Sequence, residues 1–153
     1  MRNVPHWLVI VGIGLLVLTS GALYVGASGH GPRSTAPSGR LAHLPEFVQT
    51  ASPAVQNAYL YAIAHPDILR EIPCYCGCMK ALGHRHNLDC YVTKFEADGS
   101  IAQFDDHGAY CVTCINITQV VATERQAGKT VAEIRALINA QYGYPAPATP
   151  MPS

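Results

Sequence analysis

From Trp7 to Ala27 the chain carries no charged side chain, and the run from Leu8 to Leu18 is apolar throughout. At 1.5 Å per residue, about 20 such residues span a bilayer's hydrocarbon core. Trp7 and Tyr24 lie near the two ends, where interfacial aromatics belong. The pattern predicts a transmembrane anchor; a signal segment cleaved after Val25-Gly26-Ala27 is the competing reading. Arg2 and the amino terminus favour a cytoplasmic position for residues 1–6, against which Arg33 and Arg40 weigh. The folded domain is then expected on the extracytoplasmic side.

Past residue 40 the apolar positions turn periodic. Ser52-Pro53 supplies an N-cap and a proline at the first helical position. Val55, Ala58, Tyr59, Ala62 and Ile63 follow at helical spacing. His65-Pro66 interrupts that helix, and a further turn carries Ile68, Leu69 and Ile72 inward. Pro73 ends it, because the residue before proline is pushed out of the α region. Residues 79–83 read as a short helical turn, 84–87 as a polar loop, 88–95 as either strand or short helix, and 96–100 as a turn. Helical periodicity returns from Ala109 to Gln126 with Cys111, Ile115, Thr118, Val121 and Ala122, and Gly128 is placed to close the helix. Thr130 with Glu133 forms a capping box that opens a last helix, with Val131, Ile134, Leu137 and Ile138 on one stripe. Gly143 ends it.

The fold class is therefore mainly α: a small helical domain with a Cys-rich loop, preceded by an N-terminal transmembrane or signal helix. Residues 1–6 form the cytoplasmic end, 7–27 the apolar segment and 28–44 a flexible linker. The folded domain is 45–144, and the Pro/Ala/Thr tail 145–153 is expected to be disordered. The 153 residues hold ten acidic and ten basic side chains. That balance gives no electrostatic reason to expect a nucleic acid or an acidic surface as partner.

Chemistry concentrates in the cysteines. Three of the six, Cys74, Cys76 and Cys78, alternate behind Pro73 and around Gly77; Cys90, Cys111 and Cys114 follow. Alternate positions of an extended segment face one side, and such crowding suits thiolates converging on metal better than three separate bridges. His107, Cys111 and Cys114 stand at i, i+4 and i+7, one face of a helix that starts near His107. Thiolates, with Met79 or His107 as further donors, favour soft cations. A structural zinc takes four ligands and leaves cysteines over, whereas several bridged Cu(I) ions use all six. Cu(I) is thus the expected metal and Zn(II) the alternative; Hg(II) or Cd(II) would bind the same ligands opportunistically. His84 and His86 are either loop residues or supports and ligands of the site.

Other readings stay open. Six cysteines in an exported domain also suit a disulfide framework, or a zinc- or disulfide-stabilised protein-interaction module. A thiol redox protein would cycle Cys111 and Cys114, but a CxxC of that kind expects a surrounding βαβ pattern, and Ile115 stands where covalent haem attachment needs histidine. No phosphate loop or nucleophile elbow is present, so no enzyme activity is expected. The expected role is copper sequestration or delivery, possible partners being a receiving protein outside the membrane and the membrane itself, through the apolar segment.

Pro73-Cys74-Tyr75-Cys76-Gly77-Cys78 heads a longer series. It continues with Leu82-Gly83-His84, the segment 86–90, Phe104-Asp105, His107-Gly108 and Cys111-x-x-Cys114. Gly128-Lys129-Thr130, Glu133-Ile134-Arg135 and Tyr142-Gly143 complete it. With these residues the chain resembles the bacterial PCYCGC-motif (lipo)protein family over about residues 41–144. The resemblance implies an exported, membrane-attached protein. This sequence has no cysteine near residue 27, so lipid anchoring does not carry over.

Overall fold

The computed structural model describes residues 41–143 together with Ala148 and Thr149. The apolar segment 7–27 and its anchor or signal readings lie outside those residues. Among the described residues, no helix is long and apolar enough to cross a membrane. The domain starts earlier than the linker reading allows, because Leu44 is already buried in the core.

The described chain is mainly helical with one small hairpin. In order it forms α1 (Glu46–Gln49), α2 (Pro53–Ala64), α3 (Pro66–Arg70), α4 (Cys78–Leu82) and a 3-10 turn (Asn87–Cys90). Strands β1 (Val92–Phe95) and β2 (Ile101–Phe104) come next, then α5 (His107–Tyr110), α6 (Val112–Gln126) and α7 (Val131–Tyr142). The local signals act as their chemistry dictates. The Ser52 hydroxyl accepts from the Val55 amide with Pro53 in the first turn. Thr130 and Glu133 cap α7 reciprocally, and Gly128 adopts φ +86° just past α6, where a side chain would be strained.

α2 and α7 pack against α6. The core between them holds Val55, Tyr59, Ala62, Ile117, Val121, Ile134 and Ile138. Tyr59 joins this layer to the cysteine region through an edge-on contact with Tyr91, centroids 5.0 Å apart. Leu137, predicted on the buried stripe of α7, is 41% exposed. The apolar stripe is thus narrower than its sequence pattern, with only Ile134 and Ile138 fully inside.

Two elements depart from the sequence pattern. Residues 88–95 split between the alternatives, the first half closing the 3-10 turn and the second forming β1. Its partner β2 lies in a stretch to which the apolar pattern assigns no element; the antiparallel register sets Val92 against Phe104 and Phe95 against Ile101, with irregularities between. Each strand has only four residues, too few to show a clear alternation. The helix expected to run through Cys111 is also broken there, with Cys111 extended (φ −106°, ψ 100°) between α5 and α6.

That break lets α5 pack on its own terms. A Cβ built on Gly108 would lie 2.6 Å from both the Cys90 carbonyl and the Tyr91 ring. Backbone cannot yield there as a flexible side chain would, so Gly108→Ala is expected to destabilise the domain by about 1–3 kcal/mol in urea melts. An unchanged midpoint would refute this close packing.

Candidate metal centre

The PCYCGC segment is delivered by the end of α3, where Leu69 and Ile72 are fully buried. It does not run extended through all three cysteines. Gly77 takes φ +80° and starts α4 at Cys78, a backbone region that favours glycine. A left-handed turn therefore swings Cys78 back, replacing the expected one-sided strand. The convergence survives by a different route: one donor atom each from Cys74, Cys76, Cys78 and Cys90 lies within 4.8 Å of all the others. A second group, Cys76, Cys90, His107 and Cys114, meets the same criterion. Cys76 and Cys90 belong to both.

The sulfurs sit close together. Cys74 lies 3.2 Å from Cys76 and 3.4 Å from Cys114. Cys90 lies 3.2 Å from Cys114, 3.8 Å from Cys74 and 4.0 Å from Cys78. The His107 Nε2 is 3.4 Å from the Cys76 sulfur. All six thiols are unbridged, and these separations are far from the roughly 2.0 Å of a disulfide. Four thiolates about 2.3 Å from one tetrahedral ion would stand about 3.8 Å apart, within the range observed. The cluster can hold a metal ion.

Each remaining candidate has a definite place. Cys111, at the joint of α5 and α6, neighbours Cys76 and Cys114 but belongs to neither group of four. The expected single helical face of His107, Cys111 and Cys114 is not formed, because the break at Cys111 separates His107 from the helix carrying Cys114. Met79 is half-buried and lines a cavity of about 120 Å³ with Cys74, Gly77, Lys80 and Thr149. Tyr75 and Tyr91 pack, as their aromatic character suggests. The Tyr75 hydroxyl bonds Asn139 on α7, and Tyr91 is fully buried.

The thiols polarise one another. Hydrogen bonds from Cys111, then from Cys114, Cys74 and Cys90, pull the Cys76 thiol far below its ordinary value. Hydrogen bonds with Cys114, then with Cys74, Cys76 and Cys78, push Cys90 far above it.

Several supports were not legible in the motif. Asn87 accepts a hydrogen bond from the Thr118 hydroxyl at 2.7 Å, and its amide donates to the Cys114 carbonyl at 3.4 Å. Thr118 and Tyr91 pair through their hydroxyls at 2.7 Å. This buried network ties the 3-10 turn carrying Cys90 to the helix carrying Cys114. The tail, expected to be disordered, contributes as well: the Cys74 amide donates to the Thr149 hydroxyl at 2.9 Å. The Thr149 amide donates in return to the Cys74 carbonyl at 3.0 Å. An extended buried segment needs such partners for its backbone, and a Pro/Ala/Thr composition gives no hint of that. Asp105 is a further support; it stands between Phe104 and His107, in the series that carries the family resemblance.

His84 and His86 are buried, not solvated. Burial holds the His86 imidazole below its ordinary value. Burial acts to raise Asp89, yet hydrogen bonds from the Arg85 side chain and backbone outweigh it and hold the carboxyl low. Both folded values are depressed, so both contributions to stability are lost as pH falls. The metal-free domain should weaken from about pH 6.5 downward through His86, and again below about pH 4 through Asp89. His86→Phe should flatten the first step in urea melts at a series of pH values. An unaltered slope would show that another group titrates there.

No curated protein and no solved structure is matched by the chain. A family model described as "protein of unknown function with PCYCGC motif" matches residues 35–152, and the chain belongs to that family.

Proposed function

We propose that this protein binds Cu(I) as cargo in its thiolate cluster, for sequestration or for delivery to a receiving protein. The supporting observation is the overlap of the two donor groups at Cys76 and Cys90. If each group held an ion, the shared sulfurs would bridge the two, and soft thiolates at such spacing suit Cu(I). On this reading the protein holds an ion and does not turn over a substrate. The apolar segment 7–27 supports an extracytoplasmic location at the membrane.

One observation favours a second reading. Cys74, Cys76, Cys78 and Cys90 alone make a four-thiol group, three of them buried, which suits a single structural zinc. The domain would then be a zinc-stabilised interaction module. Metal analysis of anaerobically purified protein, with a free-thiol count, separates the readings. Roughly two to four Cu(I) per chain, as bridging thiolates allow, supports the copper cluster. One Zn(II) favours the module, and six oxidised cysteines without metal would sink both.

A further inference from the structure

The cluster is unevenly covered. Cys74, Cys78, Cys90 and Cys114 are buried, while Cys76, Cys111 and His107 are partly open to solvent. Beside this open edge lie two imidazoles. The ring of His84 meets that of His107 edge-on, centroids 5.5 Å apart. His84 is 4% exposed, and its Nδ1 has no hydrogen-bond partner. Asp105 contacts both residues. One carboxylate oxygen lies 3.5 Å from the His84 Nε2, and the other accepts the His107 amide at 2.8 Å. A proton on Nε2, facing the carboxylate, leaves the Nδ1 lone pair free as a donor. A carboxylate behind an imidazole is the usual support of a metal-binding histidine. His84 and Asp105 also line a polar cavity of about 270 Å³, together with Arg85 and Asp89.

We infer that His84 and His107, oriented by Asp105, form an imidazole port through which the ion passes between solvent and the buried thiolates by way of Cys76. The inference rests on the metal-binding reading above. Each step is a ligand exchange without change of oxidation state: an ion–nitrogen bond gives way to an ion–sulfur bond, and an entering thiol releases its proton to solvent. Imidazole binds Cu(I) less firmly than a bridging thiolate does, as a transit site requires. The 3.4 Å from the His107 Nε2 to the Cys76 sulfur makes the last exchange short.

The test uses the full chain in detergent, loaded with Cu(I), and follows transfer to excess bicinchoninate by absorbance. His84→Ala and Asp105→Asn should each slow transfer roughly tenfold, the scale on which such supports act. Ions bound per chain at equilibrium are measured alongside, and added imidazole should restore the rate of His84→Ala. Unchanged rates in normally loaded variants would overturn the port while leaving the cluster standing. So would slowing in Cys111→Ser alone, which would place the exit there. Slowing that imidazole does not rescue and that tracks a lowered Tm would reduce His84 to a packing residue. Wild-type protein that takes up no Cu(I) would remove the function and the port together.

Discussion

A Cys90→Ser chain is expected to retain essentially no tightly bound metal, while Cys78→Ser retains about half of the wild-type content. The difference follows from how the donors overlap. Cys90 belongs to both groups of four, whereas Cys78 belongs only to the first. Cys90 is also fully buried and within 4.0 Å of Cys74, Cys78 and Cys114, so no outside group can replace it. Serine keeps the size but substitutes a hard oxygen for a soft sulfur, a poor exchange for Cu(I). Metal per chain after gel filtration under anaerobic conditions measures this directly. The urea midpoint of each metal-free variant shows whether the fold survives, since a buried hydroxyl without a partner costs about 1–3 kcal/mol. Equal losses in the two variants would contradict bridging by Cys90 and return the site to one ion with spare thiols.

The residues of this site are easier to read from sequence than its geometry. Six cysteines and His107 announce themselves by type, because softness is a property of the side chain. Pro73 bars helix from Ile72 onward, since its steric effect is local, and α3 ends a little before that limit, at Arg70. The Ser52 and Thr130 caps are equally local, and they are found as expected. What fails depends on distant partners. Gly77 looks like a spacer in an alternating strand, and only the closure on Cys90 requires its left-handed turn. Cys111 fits the periodicity of α6, yet the chain breaks there so that Gly108 can approach Tyr91. His84 and Asp105 stand in the series that carries the family resemblance, yet their contact with each other, like that of Thr149 with Cys74, exists only once the segments holding them meet.

Stripping the metal should lower the Tm of the loaded domain by roughly 15–30 °C. The cluster draws on four stretches of chain: the PCYCGC loop with α4, the 3-10 turn, α5 and α6. An ion held by them binds the folded state far better than the unfolded one. At free metal a thousandfold above Kd, one such site stabilises by about 4 kcal/mol. A domain of this size gains roughly 4–8 °C per kcal/mol, and residual binding by unfolded cysteines trims the effect. The sign with pH follows from the chemistry: thiolate ligands must be deprotonated, so the stabilisation shrinks as pH falls. Melts with and without a Cu(I) chelator, in reducing anaerobic buffer and at several pH values, read both quantities. Stability that ignores the chelator but collapses on adding a reductant would instead assign the staple to disulfides. Stability that responds to neither would mean that the apolar core between α2, α6 and α7 holds these four stretches together without a crosslink.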